Sequence, residues 1–176
     1  MAAKHSRDAI LAEATQLTLE EGLAKLTFGR VAKRLGIPDR TVVYYFPTKG
    51  QLREAVLGAA FGHFQGILGT AFDQPAESAA ALVGRAWKVV ANETADPLFR
   101  LFFESVGMAM HDAELATTVE GLINAWITSL EPLIAGSPDE RRARAEAAVA
   151  LLDGLVLMRH LAGAEAASRA AEQLLD

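Results

Sequence analysis

Residues 28–46 of this 176-residue chain read FGRVAKRLGIPDRTVVYYF, and this stretch decides the fold. Ala32 and Gly36 stand four residues apart, and apolar Val42 follows six residues after the glycine. Two short helices that cross steeply need a small residue at their contact and a turn residue that tolerates a left-handed backbone. The spacing therefore predicts a helix-turn-helix, whose helices are joined by the apolar residues Val31, Leu35, Ile37 and Val42.

The second helix of this motif carries polar and aromatic side chains that an ordinary helical hairpin does not explain. They are Arg40, Thr41, Tyr44 and Tyr45. Guanidinium, hydroxyl and phenol groups on one short helix are suited to contacts with the phosphates and base edges of DNA. We therefore expect double-stranded DNA to be a partner of this segment.

Capping residues extend the helical pattern on both sides of the motif. Ser6 precedes a predicted first helix, and Thr27 begins the second. Thr48 and Gln51 have the spacing of a capping box, which predicts a long helix from Lys49 to near residue 71. The chain therefore continues as helix on both sides of the motif.

The rest of the chain also shows helical spacing, interrupted by prolines. Pro75, Pro97 and Pro138 each stand where a proline would occupy the first turn of a helix. Pro132 is expected to end or kink a helical segment over 113–135. No stretch alternates apolar and polar residues as a strand does. The sequence predicts an all-α fold of about nine helices.

The charge is unevenly distributed along the chain. The whole sequence carries a net charge of −5, but residues 1–57 hold nine Lys and Arg against six Asp and Glu. The remainder is correspondingly acidic. A basic segment in an acidic chain favours contact of that segment alone with a polyanion, although a solvated surface of uneven charge would look the same.

The motif and its flanks resemble the tetracycline-repressor (TetR) family over about residues 7–57. The residues that match the family pattern in order and spacing are Thr27, Ala32, Gly36, Ile37, Thr41, Val42, Tyr45, Phe46 and Lys49. The resemblance implies a DNA-binding domain over residues 1–56. Residues 57–176 would then form a helical effector-binding and dimerisation domain.

Three residues depart from the family pattern. Pro38 stands in place of the usual capping serine, so Asp39 is expected to take over the cap. Arg40 replaces a small residue and adds a long donor. Val43 replaces a tyrosine that often contacts phosphate, and that contact is lost or passes to a neighbouring tyrosine.

Chemistry and resemblance together assign roles at the DNA. Lys49, at the start of the fourth helix, is expected to hold a phosphate, because the helix dipole favours an anion there. Arg40 is the candidate for reading a guanine through two hydrogen bonds, and Tyr44 for reaching a base or a phosphate. The hydroxyl groups expected to position the DNA backbone are those of Thr27, Thr41 and Tyr45.

The resemblance implies that the larger domain encloses a pocket for a small effector, which we expect to be apolar or aromatic. The candidate lining residues are Trp87, Phe99, Phe103, Met110 and Trp126. Apolar stripes of this kind also occur as plain core. The last two helices would form a homodimer, and the helix after Ser137 carries apolar residues on two sides, one of which can face its own core and the other a partner. One side holds Leu151, Leu155 and Met158, and the other holds Leu152 and Val156.

Composition argues against other functions. The chain has no cysteine and its four histidines are scattered, so we expect no metal, no cofactor and no enzyme active site. No apolar run is long enough to span a membrane, and no signal sequence begins the chain, which favours the cytoplasm. The family is usually a repressor released by its effector. The alternatives are an architectural DNA-binding protein without a sensor and, less in keeping with the residues, a helical enzyme.

Overall fold

The computed structural model describes residues 6–71 and 75–175, which form nine α-helices and no strand. The predicted all-α fold is therefore confirmed. The helices are α1 Arg7–Glu21, α2 Phe28–Leu35, α3 Asp39–Tyr45, α4 Lys49–Leu68, α5 Ala79–Val90, α6 Asp96–Ala109, α7 Ala113–Leu130, α8 Pro138–Ala162 and α9 Ala164–Leu175.

Three helices begin at the predicted caps. The side-chain oxygen of Ser6 accepts a hydrogen bond from the Ala9 N–H at 3.1 Å, at the start of α1. Thr27 caps α2 in the same way, and the hydroxyl of Thr48 accepts from the Gln51 N–H at 3.1 Å before α4. Each cap satisfies a backbone donor that the first helical turn leaves without a partner.

The predicted role of Pro75 is wrong. The helix that follows it begins only at Ala79, where the hydroxyl of Ser78 accepts from the Ala81 N–H. Pro75 instead precedes a short extended segment, in which Ala76 donates to the Leu133 carbonyl at 2.7 Å. This backbone hydrogen bond keeps Ala76 extended. An extended residue cannot be part of a helix, so no helix begins at Pro75. The linker expected around residue 73 lies outside the described residues.

The prediction at Pro132 is confirmed. Helix α7 ends at Leu130, and the proline lies in a 3₁₀ turn over Glu131–Leu133.

The chain folds into two compact units that do not follow its order. The first unit comprises Met1–Phe64 together with Pro97–Glu120, and the second comprises Gln65–Asp96 together with Gly121–Asp176. The functional boundary between residues 56 and 57 remains a prediction, since compactness and function need not divide a chain at the same residue.

Helix α6 is hydrogen-bonded to the turn that follows α1. The carboxylate of Glu104 accepts hydrogen bonds from two successive backbone N–H groups, Leu23 at 2.8 Å and Ala24 at 3.0 Å. The preceding residue, Gly22, has a φ of +93°, and a β-carbon there would come within 3.0 Å of the same carboxylate. Glycine is therefore required at position 22 for two reasons. Other residues rarely adopt this positive φ, and a β-carbon would crowd the Glu104 carboxylate.

A second polar contact holds the junction of α6 and α7 against α4. The guanidinium of Arg53 is nine-tenths buried and donates to the Asp112 carboxylate at 2.7 Å. The N–H of Leu115 and then Arg53 hold the pKa of the Asp112 carboxyl below its ordinary value. Close packing continues at Gly50, where a β-carbon would collide with the Glu114 carboxylate. Because a buried charge is costly without a partner, this pair fixes the register of the two elements.

The second unit is built on α8, which packs against α5 and α9. Its core includes Leu82 and Val90 from α5, and Ala167 and Ala171 from α9. Arg142 on α8 binds the carboxylates of Glu131 and Glu146 and the amide oxygen of Asn124; these three contacts lie between 2.8 and 3.2 Å. Near the other end of α8, Arg159 forms an ion pair with Asp96.

The two apolar sides expected on α8 are wrong in detail. Leu152, Leu155 and Val156 are all buried together, so Leu155 belongs to the core and not to a separate side with Met158. The reason is the helical period, which places positions i, i+3 and i+4 on one face. The large apolar residues of this helix that are exposed are Leu157, Met158 and Leu161.

The Glu104 contact makes a stability prediction. Glu104→Ala leaves two backbone donors without their acceptor, so we expect a loss of about 1–3 kcal/mol in the free energy of unfolding. Amide exchange at Leu23 and Ala24, in the turn after α1, should accelerate more than exchange within α1 itself. Denaturant unfolding and amide hydrogen exchange would measure both effects. Glu120→Ala, an exposed change on α7, is the control, and equal effects of the two variants would contradict the prediction.

Partial burial raises the pKa of Asp153 on α8 from 3.8 to about 7. The folded state therefore binds this proton more tightly than the unfolded state, and stability falls as pH rises from about 4 to about 7. Asp153→Asn should raise the unfolding free energy by about 2–4 kcal/mol at pH 8 and leave it nearly unchanged at pH 4. Thermal unfolding at both pH values checks this, with Glu172→Gln as an exposed control. An equal gain at both values would contradict it.

Candidate nucleic-acid interface

The turn between α2 and α3 is set by the glycine that the sequence singled out. Gly36 has φ +67° and ψ +38°, the left-handed conformation. Its N–H and that of Ile37 donate to carbonyls near the end of α2, the latter to Ala32 at 3.0 Å. A β-carbon at Gly36 would meet nothing within 4 Å, so its backbone conformation alone demands glycine. The predicted helix-turn-helix is therefore present.

Helix α3 is buried on one side and presents the predicted residues on the other. Val42 is fully buried, whereas Arg40 is exposed and Tyr44 is 78% exposed. Thr41 and Tyr45 are partly buried. The Tyr44 ring meets that of Tyr45 edge to face, with 5.0 Å between the centroids, and its exposure leaves most of the ring available to a partner.

The start of α3 differs from the prediction at Asp39. The helix begins at this residue, which leaves Pro38 at the capping position with no side-chain hydrogen bond. Asp39 thus lies inside the first turn and does not cap, because a cap must come before the helix. Its carboxylate would come within 3.1 Å of a β-carbon at Gly29. The negative charge still favours the helix through the dipole.

Thr27 and Lys49 lie at the beginnings of the helices that flank α3. The Thr27 hydroxyl oxygen accepts from the Arg30 N–H at 3.3 Å, so its proton remains available for a second acceptor. Lys49 is exposed at the first position of α4, directly after the capping residue. Both arrangements suit contacts with phosphate, and both contacts remain predictions.

The basic side chains of this region fall into two groups. Arg34 binds Glu13 and Glu20, Arg30 binds Glu21, and Arg53 binds Asp112. Hydrogen bonding to Glu20 raises the pKa of Arg34 further above its ordinary value. Within residues 6–71 and 75–175, no carboxylate forms an ion pair with the second group, which is Arg7, Lys25, Lys33, Arg40 and Lys49.

The candidate effector residues are distributed over both units. Phe99 is buried in the first unit, where its ring lies 5.0 Å from that of Phe64 and 6.4 Å from that of Phe103. Met110 follows the end of α6 and is 78% exposed, so it does not line an enclosed wall within one chain. Trp126 is buried and Trp87 partly buried in the second unit. The pocket as a whole remains a prediction.

Sequence analysis missed a contact beside α3. The guanidinium of Arg7 lies over the ring of Phe46, 4.9 Å from its centroid. It also missed Glu104 and the pair of Arg53 with Asp112. Each of these contacts joins residues far apart in the chain, which no local spacing could reveal.

No helix in the described parts of the chain is both long and apolar enough to cross a lipid bilayer. Over the same residues, no group of three or more metal-binding side chains comes together.

Comparisons with known proteins agree with this geometry. The sequence model of the family described as bacterial regulatory proteins, tetR family, matches residues 10–56. No curated protein matches the chain. A TetR transcriptional regulator from Legionella pneumophila is 17% identical, over 100% of this chain and 98% of that chain, with a TM-score of 0.69.

Two more solved structures share the fold at low identity. A transcriptional regulator from Rhodococcus sp. RHA1 is 20% identical over 97% of this chain and 94% of that chain, with a TM-score of 0.73. The multidrug binding protein EbrR, complexed with proflavin, is 21% identical over 96% of each chain, with a TM-score of 0.71. The N-terminal helices thus match the sequence model of the tetR family of bacterial regulatory proteins, and the chain as a whole shares the fold of these solved structures.

Proposed function

We propose that the protein is a dimeric repressor that binds an operator through α3 and is released by a small apolar or aromatic effector. The observation that carries the proposal is the surface of α3, on which Arg40 and Tyr44 are exposed while Val42 is fully buried. A recognition helix must be fixed to its domain on one side and present side chains to the major groove on the other. As a transcriptional regulator, the protein would act in the bacterial cytoplasm.

The proposed roles at the operator follow from the chemistry of each side chain. Arg40 can grip guanine through two parallel hydrogen bonds, which gives it the role of base reader. Lys49 and the hydroxyl groups of Thr27, Thr41 and Tyr45 would hold phosphates and set the register of α3 in the groove. Tyr44 would contact a base or a phosphate next to Arg40.

The dimer is supported by apolar side chains left exposed on the last two helices. Leu161 on α8 is 79% exposed and Leu174 on α9 is 52% exposed, and Leu157 and Met158 are each 42% exposed. Large exposed apolar residues on two helices that pack together are typical of surfaces that meet a partner. A second copy of the same face would cover them around a two-fold axis.

An effector site is supported by the aromatic rings of the first unit and by one structural neighbour. Phe64, Phe99 and Phe103 form a cluster in which an aromatic ligand could stack. EbrR, which has the same fold, was solved with proflavin, a planar aromatic molecule. The candidate lining residues remain Trp87, Phe99, Phe103 and Trp126, with Met110 at the surface.

The proposed mechanism links the two binding events through the spacing of the α3 helices. In a dimer bound to DNA, the two recognition helices enter successive major grooves about 34–36 Å apart. An effector that binds better to a conformation with another spacing lowers the affinity for the operator, and the operator lowers the affinity for the effector by the same factor. Without an effector site, the protein would be an architectural DNA-binding protein.

The readout role of Arg40 can be tested on an operator that the wild-type protein selects from random duplexes. Arg40→Ala should cost about 1–3 kcal/mol at that operator and relax the preference at one base step. Lys33→Ala, which removes an exposed cation of α2, should change the base preference little. An unchanged preference in Arg40→Ala would remove Arg40 from the readout. Failure of the wild-type protein to enrich any duplex would contradict operator binding itself.

The effector role of Trp126 can be separated from a core role. If Trp126 contacts the effector, proflavin should quench tryptophan fluorescence, and Trp126→Ala should blunt release from the operator with little loss of binding to free operator. If Trp126 is simple core, the same change should lower the unfolding free energy by about 3–5 kcal/mol and impair operator binding through unfolding. Thermal unfolding beside an operator-binding assay distinguishes the two, and the second result would end this assignment.

A further inference from the structure

We propose that Arg7, at the beginning of α1, binds a phosphate of the operator beside the recognition helix. The inference rests on the proposed operator binding and extends it to a residue outside the helix-turn-helix. Arg7 is the first residue of α1 and is exposed. Its guanidinium lies over the ring of Phe46, 4.9 Å from the centroid.

Phe46 provides a rigid aromatic surface under the guanidinium of Arg7. It is 1% exposed, and its N–H donates to the Val42 carbonyl at 2.9 Å, which closes the C-terminal end of α3. A guanidinium stacked on an aromatic ring is held by attraction to the face of the ring. The stack therefore holds a long, flexible cation at the end of α3 before any DNA arrives, which reduces the entropy lost on binding.

The charge of Arg7 is not compensated within the described part of the chain. Arg30, Arg34 and Arg53 all bind carboxylates, whereas no carboxylate of residues 6–71 or 75–175 forms an ion pair with Arg7. The contact with the ring is an attraction to its face and does not use the guanidinium N–H groups as donors to oxygen, so they remain for other acceptors. The fork of N–H donors matches the oxygens of a phosphate.

The surroundings of Arg7 favour the DNA backbone over a small anion as the ligand. The chain that leaves Phe46 reaches the cap of α4 at Thr48 and then Lys49, a second exposed cation without a carboxylate partner among the described residues. The short segment after the recognition helix therefore has a cation at each side. Arg7 lies over its first residue, Phe46, and Lys49 follows it in the sequence. Two cations at one end of α3 are suited to a run of phosphates, which the DNA backbone supplies and a small anion does not.

The salt dependence of operator binding tests the proposal in the full-length protein. Fluorescence anisotropy of the selected duplex would be measured against KCl concentration for the wild-type protein and three variants. Arg7→Ala should reduce the slope of log affinity against log salt by about 0.9 for each protomer and leave the base preference unchanged. Arg7→Lys should keep the slope. Arg100→Ala, an exposed arginine of α6, should behave as wild type.

Thermal unfolding separates this role from simple packing over Phe46. If Arg7→Ala lowers the melting temperature but keeps the wild-type slope, Arg7 only covers the ring and the proposal is overturned. A slope for Arg7→Lys as low as that of Arg7→Ala overturns it too, because charge would then not be the cause. Absence of wild-type binding, measured before any variant, overturns the proposed function along with this inference.

Discussion

The carboxylate of Glu104 is the contact on which the arrangement of the first unit depends. It accepts from two successive N–H groups in the short turn between α1 and α2, about 80 residues earlier in the chain. A turn of this kind exposes backbone donors that must find an acceptor once they are buried. Here the acceptor comes from α6, so the path of the chain into the helix-turn-helix is fixed by a helix outside that motif.

The pair of Arg53 and Asp112 makes the same connection at a second point. Two contacts at different points restrict both the rotation and the displacement of α6 relative to α1 and α4. Helix α6 and the start of α7 therefore hold α1 and α4 in one arrangement. This explains why Pro97–Glu120 groups with the residues up to Phe64 in the compact unit. Removing one partner of a buried ion pair leaves a charge without compensation, which makes such pairs strong determinants of geometry.

The sequence predicted what local spacing controls. Ser6, Thr27 and Thr48 act within one helical turn, and Gly36 acts through its own backbone, so each could be identified without knowing the fold. Other errors arose where distant residues decide or where the exact end of a helix decides. No helix begins at Pro75 because the next residue, Ala76, is bonded to Leu133 and Ala135, and Met110 is exposed because α6 ends at the residue before it.

The distribution of charged residues along the sequence was also informative only in part. The basic excess of residues 1–57 correctly indicated a cationic segment, but composition does not tell which cations are already bound. In the structure, glutamates of α1 bind Arg30 and Arg34, the two arginines of α2. The cations left without a carboxylate partner among the described residues include Arg40 and Lys49, which the motif itself had marked. The number available to a polyanion is therefore smaller than the count of basic residues, and those that remain include residues at both ends of α3.

The discontinuity of the first unit has a consequence for the design of hybrid regulators. A hybrid that joins residues 1–56 of this chain to the remainder of another regulator would separate Leu23 and Ala24 from Glu104, and Arg53 from Asp112. The recipient would have to supply a carboxylate at both places and a small enough side chain opposite Gly22 and Gly50. The transferable unit is therefore a pair of segments, and a working graft carries residues 97–120 along with residues 1–56.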